Sequence, residues 1–294
     1  MKMADAKLLL ADDQPVIGEA VHPLLHARQV VGVLVEHETE TNETVLRGLS
    51  DLHLRINLDR LRDKYGVEVT SRPPRIAYRE TVSGSAEGHH RHKKQTGGAG
   101  QFGEVFLRVE PLPRGGGFEF VDAVKGGTIP GQFLPAVEKG VRQVLHHGAV
   151  AGYPIQDVRV TVYDGKHHAV DSKEVAFVAA GKKAFLDAIG KARPQVLEPI
   201  VDLEVNAPEQ HMGDISGGLA GKRARINGTD ALRGHEIVVK AQVPLSELEG
   251  YAAELKSVTA GRGRYSLDFS HYEPVPMNVQ QRLVEAYRPR QDED

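Results

Sequence analysis

The stretch VDLEVNAPEQHMGDISGGLAGKRARINGTDALRGHEIVVKAQVPLSELEGYAAELKSVTAGRGRYSLDF, residues 201–269, carries the pattern that decides the fold. Val201, Leu203 and Val205 alternate with polar residues, as do Val239, Ala241 and Val243 after Ile237, and later Tyr265, Leu267 and Phe269. Period-two alternation sets one face of each strand on a core. A helical stretch is expected from about Met212 to Arg225, although Gly213, Gly217, Gly218 and Gly221 each cost it about 1 kcal/mol against Ala. Leu248, Tyr251, Leu255 and Val258 recur at helical spacing, and an extra strand fits near Ala224–Gly228. The order is βαββαβ: a small α+β sandwich with its helices on one face of an antiparallel sheet.

The middle of the chain begins after the break Arg72-Pro73-Pro74 and ends near Glu198-Pro199. A polar, Gly- and His-rich loop is expected over 83–103, followed by a strand with Val105, Leu107 and Val109 on one side. Gly115–Gly117 suits a hairpin loop into Phe118–Val121. Phe133, Val137, Val141, Val144 and Leu145 mark a helix that Gly148 ends, and Val158, Val160 and Val162 another strand. A last helix carries Val175, Ala176, Ala179, Phe185 and Ile189, with Asp171 and Glu174 resembling a capping box at its start. Upstream, Val30–Val35 and Glu43–Leu46 are strand-like. Leu54, Leu58, Leu61 and Tyr65 define one face of a helix capped by Ser50 and stopped by Gly66, after which Val67–Val69 returns to strand.

Composition narrows the function. The 294 residues carry a net charge of −3 and no cysteine, which excludes a disulfide framework, a thiolate metal site and a thiol nucleophile. No apolar run approaches the roughly 20 residues of a membrane span, so no membrane partner and a cytoplasmic location are expected. Charge is uneven: residues 78–198 hold 16 Lys or Arg against 13 Asp or Glu and 7 of the 14 histidines, the balance an anionic partner would select. Gly98-Ala-Gly100-Gln-Phe-Gly103 has G-x-G-x-x-G spacing, but a basic loop precedes it and a strand follows, the wrong setting for a dinucleotide. No G-x-x-x-x-G-K-[ST] occurs, and His89, His90 and His92 match no common metal-ligand spacing. These motifs point to no catalytic residue, no metal site and no cofactor.

Several motifs in order resemble elongation factor G. They are Tyr78-Arg-Glu-Thr81, Lys94-Gln-Thr-Gly-Gly-Ala-Gly-Gln-Phe-Gly103, Lys125-Gly-Gly-Thr-Ile-Pro-Gly131, Pro135-Ala-Val-Glu-Lys-Gly140, Gly152-Tyr-Pro154 and His168-Ala-Val-Asp-Ser172. Leu197-Glu-Pro-Ile200, Val243–Glu247 and Ser257–Arg262 continue the resemblance, and Leu52–Leu54, Asp59–Leu61 and Tyr65–Val67 begin it. The His-rich approach Gly88–Lys94 is similar to the elongation-factor-G-like branch.

The resemblance implies three small α+β domains. The first and last are ferredoxin-like βαββαβ, and the central one has a mixed sheet and a left-handed βαβ crossover. Their expected bounds are residues 1–76 (domain III), 77–198 (domain IV) and 199–288 (domain V), then a charged tail, 289–294. Domain III's first strand is expected to be missing or replaced by Lys7–Leu10.

In the family, two tip loops of domain IV approach the tRNA–mRNA duplex in the decoding region. Here they correspond to Gly97, Gly98, Gly100, Gln101, Phe102 and Gly103, and to His167, His168 and Asp171, with Arg91, Lys93 and Lys94 in support. In the family the first helix of domain V meets ribosomal RNA, which brings in Lys222, Arg223 and Arg225. Ala169 stands where the family has an acidic residue.

The implied function is a ribosome-binding module of translocation, with ribosomal RNA, tRNA–mRNA and a separately encoded GTPase half as partners. GTP and Mg²⁺ belong to the full-length family, and this chain alone is expected not to be a GTPase. Two alternatives stay open: a stand-alone phosphate-binding enzyme of the phosphotransferase type, and a non-functional relic.

Overall fold

A computed structural model describes residues 6–11, 34–38, 41, 43–48, 51–95 and 100–288. The expected N-cap Ser50, the run Val30–Val33 and the tail 289–294 lie outside them. Two compact units emerge, one from residues 1–77 and 199–271, the other from 78–198 and 272–294.

The first unit holds two sheets of one design. In the N-terminal sheet β1 (Ala6–Ala11), β2 (Leu34–Glu38), β3 (Glu43–Gly48) and β4 (Thr70–Arg72) lie in the order β2-β3-β1-β4, every pair antiparallel. β1 takes the interior position between β3 and β4, so the first strand is present, at Ala6–Ala11. Helix α1 (Asp51–Tyr65) buries Leu54 and Leu61, on the face its periodicity defined. Gly66, at φ +67°, and Val67 return their amides to the carbonyls of Arg62 and Leu61. Val67 is thus spent closing the helix, and the strand starts at Thr70 rather than at Val67.

The second sheet of this unit has β10 (Pro194–Pro208), β11 (Arg225–Leu232), β12 (Glu236–Pro244) and β13 (Arg264–Pro274) in the order β11-β12-β10-β13. Helices α4 (Met212–Gly221) and α5 (Tyr251–Val258) supply Ile215, Leu219, Tyr251 and Leu255 to a core built from the alternating residues of β10 and β12. Both sheets place their strands in the ferredoxin-like order 2-3-1-4. The helix expected to reach Arg225 ends at Gly221. Lys222 and Ala224 both return their amides to Leu219, and Arg223 turns to φ +56°, so that Arg225 already belongs to β11.

The other unit is built on β6 (Ala86–Lys94), β7 (Gln101–Pro111), β8 (Phe118–Asp122) and β9 (Val158–Lys166), in the order β6-β7-β9-β8. β8 and β9 are parallel and joined through α2 (Leu134–His147); the other pairs are antiparallel. Helices α2 and α3 (Glu174–Lys191) cover the face carrying Val105, Leu107, Val109, Val158, Val160 and Val162. They cross closely at two glycines: a Cβ on Gly140 would overlap the Val178 carbonyl oxygen, and one on Gly181 would lie 2.8 Å from that of Val137. β5 (Arg79–Val82) pairs with the start of β10.

Four expectations need correction here. Gly115–Gly117 does not close a hairpin, because β8 pairs in parallel with β9 and not with β7. The segment expected as a loop over 83–103 is mostly strand, β6 pairing with β7 from Ala86↔Val109 to Lys94↔Gln101. Its polar residues hide it because it is an edge strand with one open face. Ser172 and Asp171 do not cap α3, whose N-cap Lys173 makes no side-chain bond; both hold the neighbouring loop instead. Val175 is 54% exposed, off the helix's buried face. Helix α6 (Met277–Ala286), which sequence periodicity left unread, packs Val279 and Leu283 against the cluster of Ala151, Val196 and Val275.

Candidate nucleic-acid interface

Two loops meet at one end of the central sheet. The first joins β6 to β7, and of its glycines Gly97 and Gly98 lie outside the described residues. The second, residues 167–173, joins β9 to α3. The Phe102 amide donates to the Asp171 carbonyl (2.9 Å). Ser172 Oγ donates to the Phe102 carbonyl (3.0 Å) and accepts from the His168 amide (2.8 Å). One side chain thus closes its own turn and ties it to the start of β7, where the other loop ends. A Cβ on Gly100 would lie 2.6 Å from Asp171 Oδ1, so a larger residue there would push the Asp171 carboxylate aside. Gly103 likewise faces the Ala176 backbone, 3.2 Å from where a Cβ would stand.

The polar groups at this end present donors. His168 Nδ1 receives the Val170 and Asp171 amides (3.4 and 3.2 Å) and faces Asp171 Oδ2 at 3.3 Å. A neutral ring accepts from the amides at Nδ1; a charged ring donates from it to Asp171. In either state Nε2 carries a hydrogen, on a side chain 56% exposed. Gln101 Oε1 lies 3.2 Å from His92 Nε2; with the hydrogen on that nitrogen, the amide NH₂ of Gln101 is left to donate elsewhere. His167 Nδ1 sits 3.1 Å from the Thr128 carbonyl, linking the second loop to the Gly126-Gly127 turn.

The supporting cations divide. Lys93 and Lys94 lie opposite Phe102 and Gln101 on β6. Arg91 is spent on Glu104, whose carboxylate also bonds His89 (3.0 and 2.8 Å). Burial pushes the Glu104 pKa up, but the bonds from Arg91 and His89 outweigh it and hold the group below the ordinary carboxylate value. Lys222, Arg223 and Arg225 belong to the other unit; Lys222 pairs with Glu254 and Arg223 with Glu247, both at 2.8 Å. Sequence reading missed Ser172 as the tie between the loops and Thr128 as the support of His167. The Lys125–Gly131 motif was the only signal for the second. Among the described residues, no three His, Asp or Glu side chains gather in a way that could hold a metal ion.

Three family models match in sequence order: Elongation Factor G, domain III over residues 13–73; Elongation factor G, domain IV over 74–193; and Elongation factor G C-terminus over 195–283. The chain belongs to the elongation factor G family. Among its relatives are an elongation factor G from Aquifex pyrophilus, 47% identical over 84% of this chain, and an elongation factor G-like protein from Thermotoga maritima, 45% identical over 86%. The chain spans 35% and 37% of their lengths. A crystal structure of a Thermus thermophilus protein superposes with a TM-score of 0.81 at 38% identity, over 97% of this chain and 43% of that one. The tied loops thus lie in the segment matched by domain IV of elongation factor G, and the ferredoxin-like sheets in the segments matched by domain III and the C-terminus. Among the described residues no helix is long and apolar enough to cross a membrane.

Proposed function

We propose that this part of an elongation-factor-G-like translation factor docks on the ribosome, and that the two tied loops of domain IV touch the tRNA–mRNA duplex during translocation. The tie from Phe102 to Asp171 and Ser172 carries the reading, because it makes two separate loops into one contact surface. Gln101 and His168 offer N–H donors, and phosphate oxygens and ribose 2′-hydroxyls are the acceptors every RNA presents regardless of sequence. Glycines keep the backbone slim enough to enter a groove. Lys93 and Lys94 add the positive charge that phosphates favour, with Arg91 neutralising Glu104 behind them, and Lys222, Arg223 and Arg225 form a second contact to ribosomal RNA.

Such a surface works by shape and charge and needs no bond broken. GTP and Mg²⁺ then belong to a GTPase domain or half outside the three matched segments, and the working compartment is the cytoplasm. The test is co-sedimentation with ribosomes across a salt series, comparing the natural chain with Gln101→Ala/His168→Ala. Salt-sensitive pelleting weakened about tenfold or more by the double substitution is the expected result. A folded chain that stays in the supernatant at low salt, or a double variant that pellets as well as the natural chain, overturns the reading.

A further inference from the structure

Among the described residues, helices cover one face of the central sheet and leave the other open. On the other, the side chains of alternate residues of β6, β7 and β9 form a row that the tip loops do not use. His89 stacks on Phe106 with ring centroids 4.1 Å apart and planes 20° from parallel. Phe106 in turn lies 6.4 Å from Tyr163, and the Arg108 guanidinium sits 5.8 Å from the Tyr163 ring centre. The row therefore runs across three strands and is closed at one end by a cation. Its other end, His89, stands on β6, the edge of the sheet, with 44% of its side chain exposed. The bond from its Nε2 to the buried Glu104 holds the imidazole in place before anything binds.

Charge on this face selects the occupant. Its carboxylates are largely spent: Glu104 on Arg91 and His89, Glu87 on Arg108, Glu119 on Arg159, and Asp164 Oδ1 on the Gly165 amide. Lys93 and Lys166, toward the tip end of β6 and β9, have no carboxylate partner among the described residues, and Glu104 lies between Arg91 and Lys166 in the pairing of the three strands. A preset aromatic row ending in solvent beside two uncommitted ammonium groups suits an unpaired base with its flanking phosphates. Four-stranded sheets with helices on one face bind single-stranded RNA on the open one by this combination.

We infer that the open face of the central sheet is a second RNA site, beside the tip loops and sharing Lys93 with their support. It takes single-stranded RNA with one base stacked on His89 and adjoining phosphates on Lys93 and Lys166. An acidic peptide would meet the same lysines but gain nothing from the stack, so it is an outcome the test distinguishes.

The experiment is fluorescence anisotropy of the full chain with a labelled short oligouridylate, which is unpaired and lacks the duplex the tip loops would read. His89→Leu is expected to weaken binding about tenfold, and His89→Phe, which keeps the stack, to bind within about twofold of the natural chain. Lys93→Ala/Lys166→Ala, on the surface and with no fold to disturb, is expected to lower the slope of log affinity against log salt by about 1.4. Gln101→Ala/His168→Ala is expected to reduce ribosome pelleting and to weaken oligouridylate binding less than His89→Leu does, so the two sites are told apart. No oligouridylate binding at low salt overturns the inference. So does binding indifferent to both His89→Leu and the lysine pair, or a polyglutamate peptide that competes as well as RNA.

Discussion

The amide of Phe102 and the carbonyl of Asp171 are 2.9 Å apart across 69 residues of chain, and that one bond, with the Ser172 hydroxyl beside it, joins the two loops at the end of domain IV. Ser172→Ala deletes one donor and one acceptor. It is expected to cost about 1–2 kcal/mol and to speed amide hydrogen exchange at His168 and at the Phe102 end of β7, leaving β10 and β12 unchanged. Exchange measured residue by residue checks this; a uniform acceleration across the chain would contradict a local tie.

Glu80, 1% exposed, accepts the amides of Ala149, Val150, Ala151 and Tyr153 at 2.8–3.0 Å. Four donors converge on one carboxylate, and so the Tyr78-Arg-Glu-Thr81 motif is joined to Gly152-Tyr-Pro154. Glu80→Gln turns an NH₂ toward two of those amides. We expect a loss of roughly 2–4 kcal/mol in urea unfolding, since donors left facing a donor stay buried and unpaired. A loss below about 0.5 kcal/mol would mean the loop re-forms with water.

Glu104 and Glu43 are both nearly fully buried, and both titrate below the ordinary value of 4.5. Burial raises each pKa, but bonds from Arg91 and His89, and from Arg75, outweigh it. A lowered folded-state pKa means that the unfolded chain takes up protons first. Their stabilisation is therefore complete above about pH 5.5 and is lost as pH falls through 4.5 toward the folded values. Thermal midpoints from pH 6 to pH 3 should fall steeply below 4.5, and Glu104→Gln should shallow that fall.

Gly140 and Gly190 both lie in helices and should answer oppositely to alanine. Gly140→Ala drives a methyl into the Val178 carbonyl and is expected to destabilise by about 1–3 kcal/mol. Gly190 has open space within 4 Å, and alanine there should stabilise by up to about 1 kcal/mol. Melting temperatures of the two variants check both signs.

How far the sequence could be read depended on where the information lies. Helix α1 stood in Leu54 and Leu61, and the cores of β7, β9, β10 and β12 stood in their alternation, because one-sided burial imposes a period on the residues themselves. Strand β6 was illegible for the opposite reason: Glu87, His89, Arg91, Lys93 and Lys94 are exposed, and the residues between are His90 and His92, only half-buried, so no apolar period forms. Helix α6 has no fully buried residue, and its packing side rests on Val279 and Leu283. Ser172 carried the local signature of a helix cap, yet its partner is Phe102, 70 residues away.

By itself the sequence determined the family and the order of the three segments that match it, through motifs such as Gly100–Gly103 and His168–Ser172, together with the strands and helices that bury one face. The tertiary structure alone decided that β6 is a strand, that Ser172 ties two loops rather than capping a helix, and that His89, Phe106 and Tyr163 form a row on an open face. Periodicity records burial within a segment. A hydrogen bond or ring stack between segments leaves no mark on either until the chain has folded and brought them together.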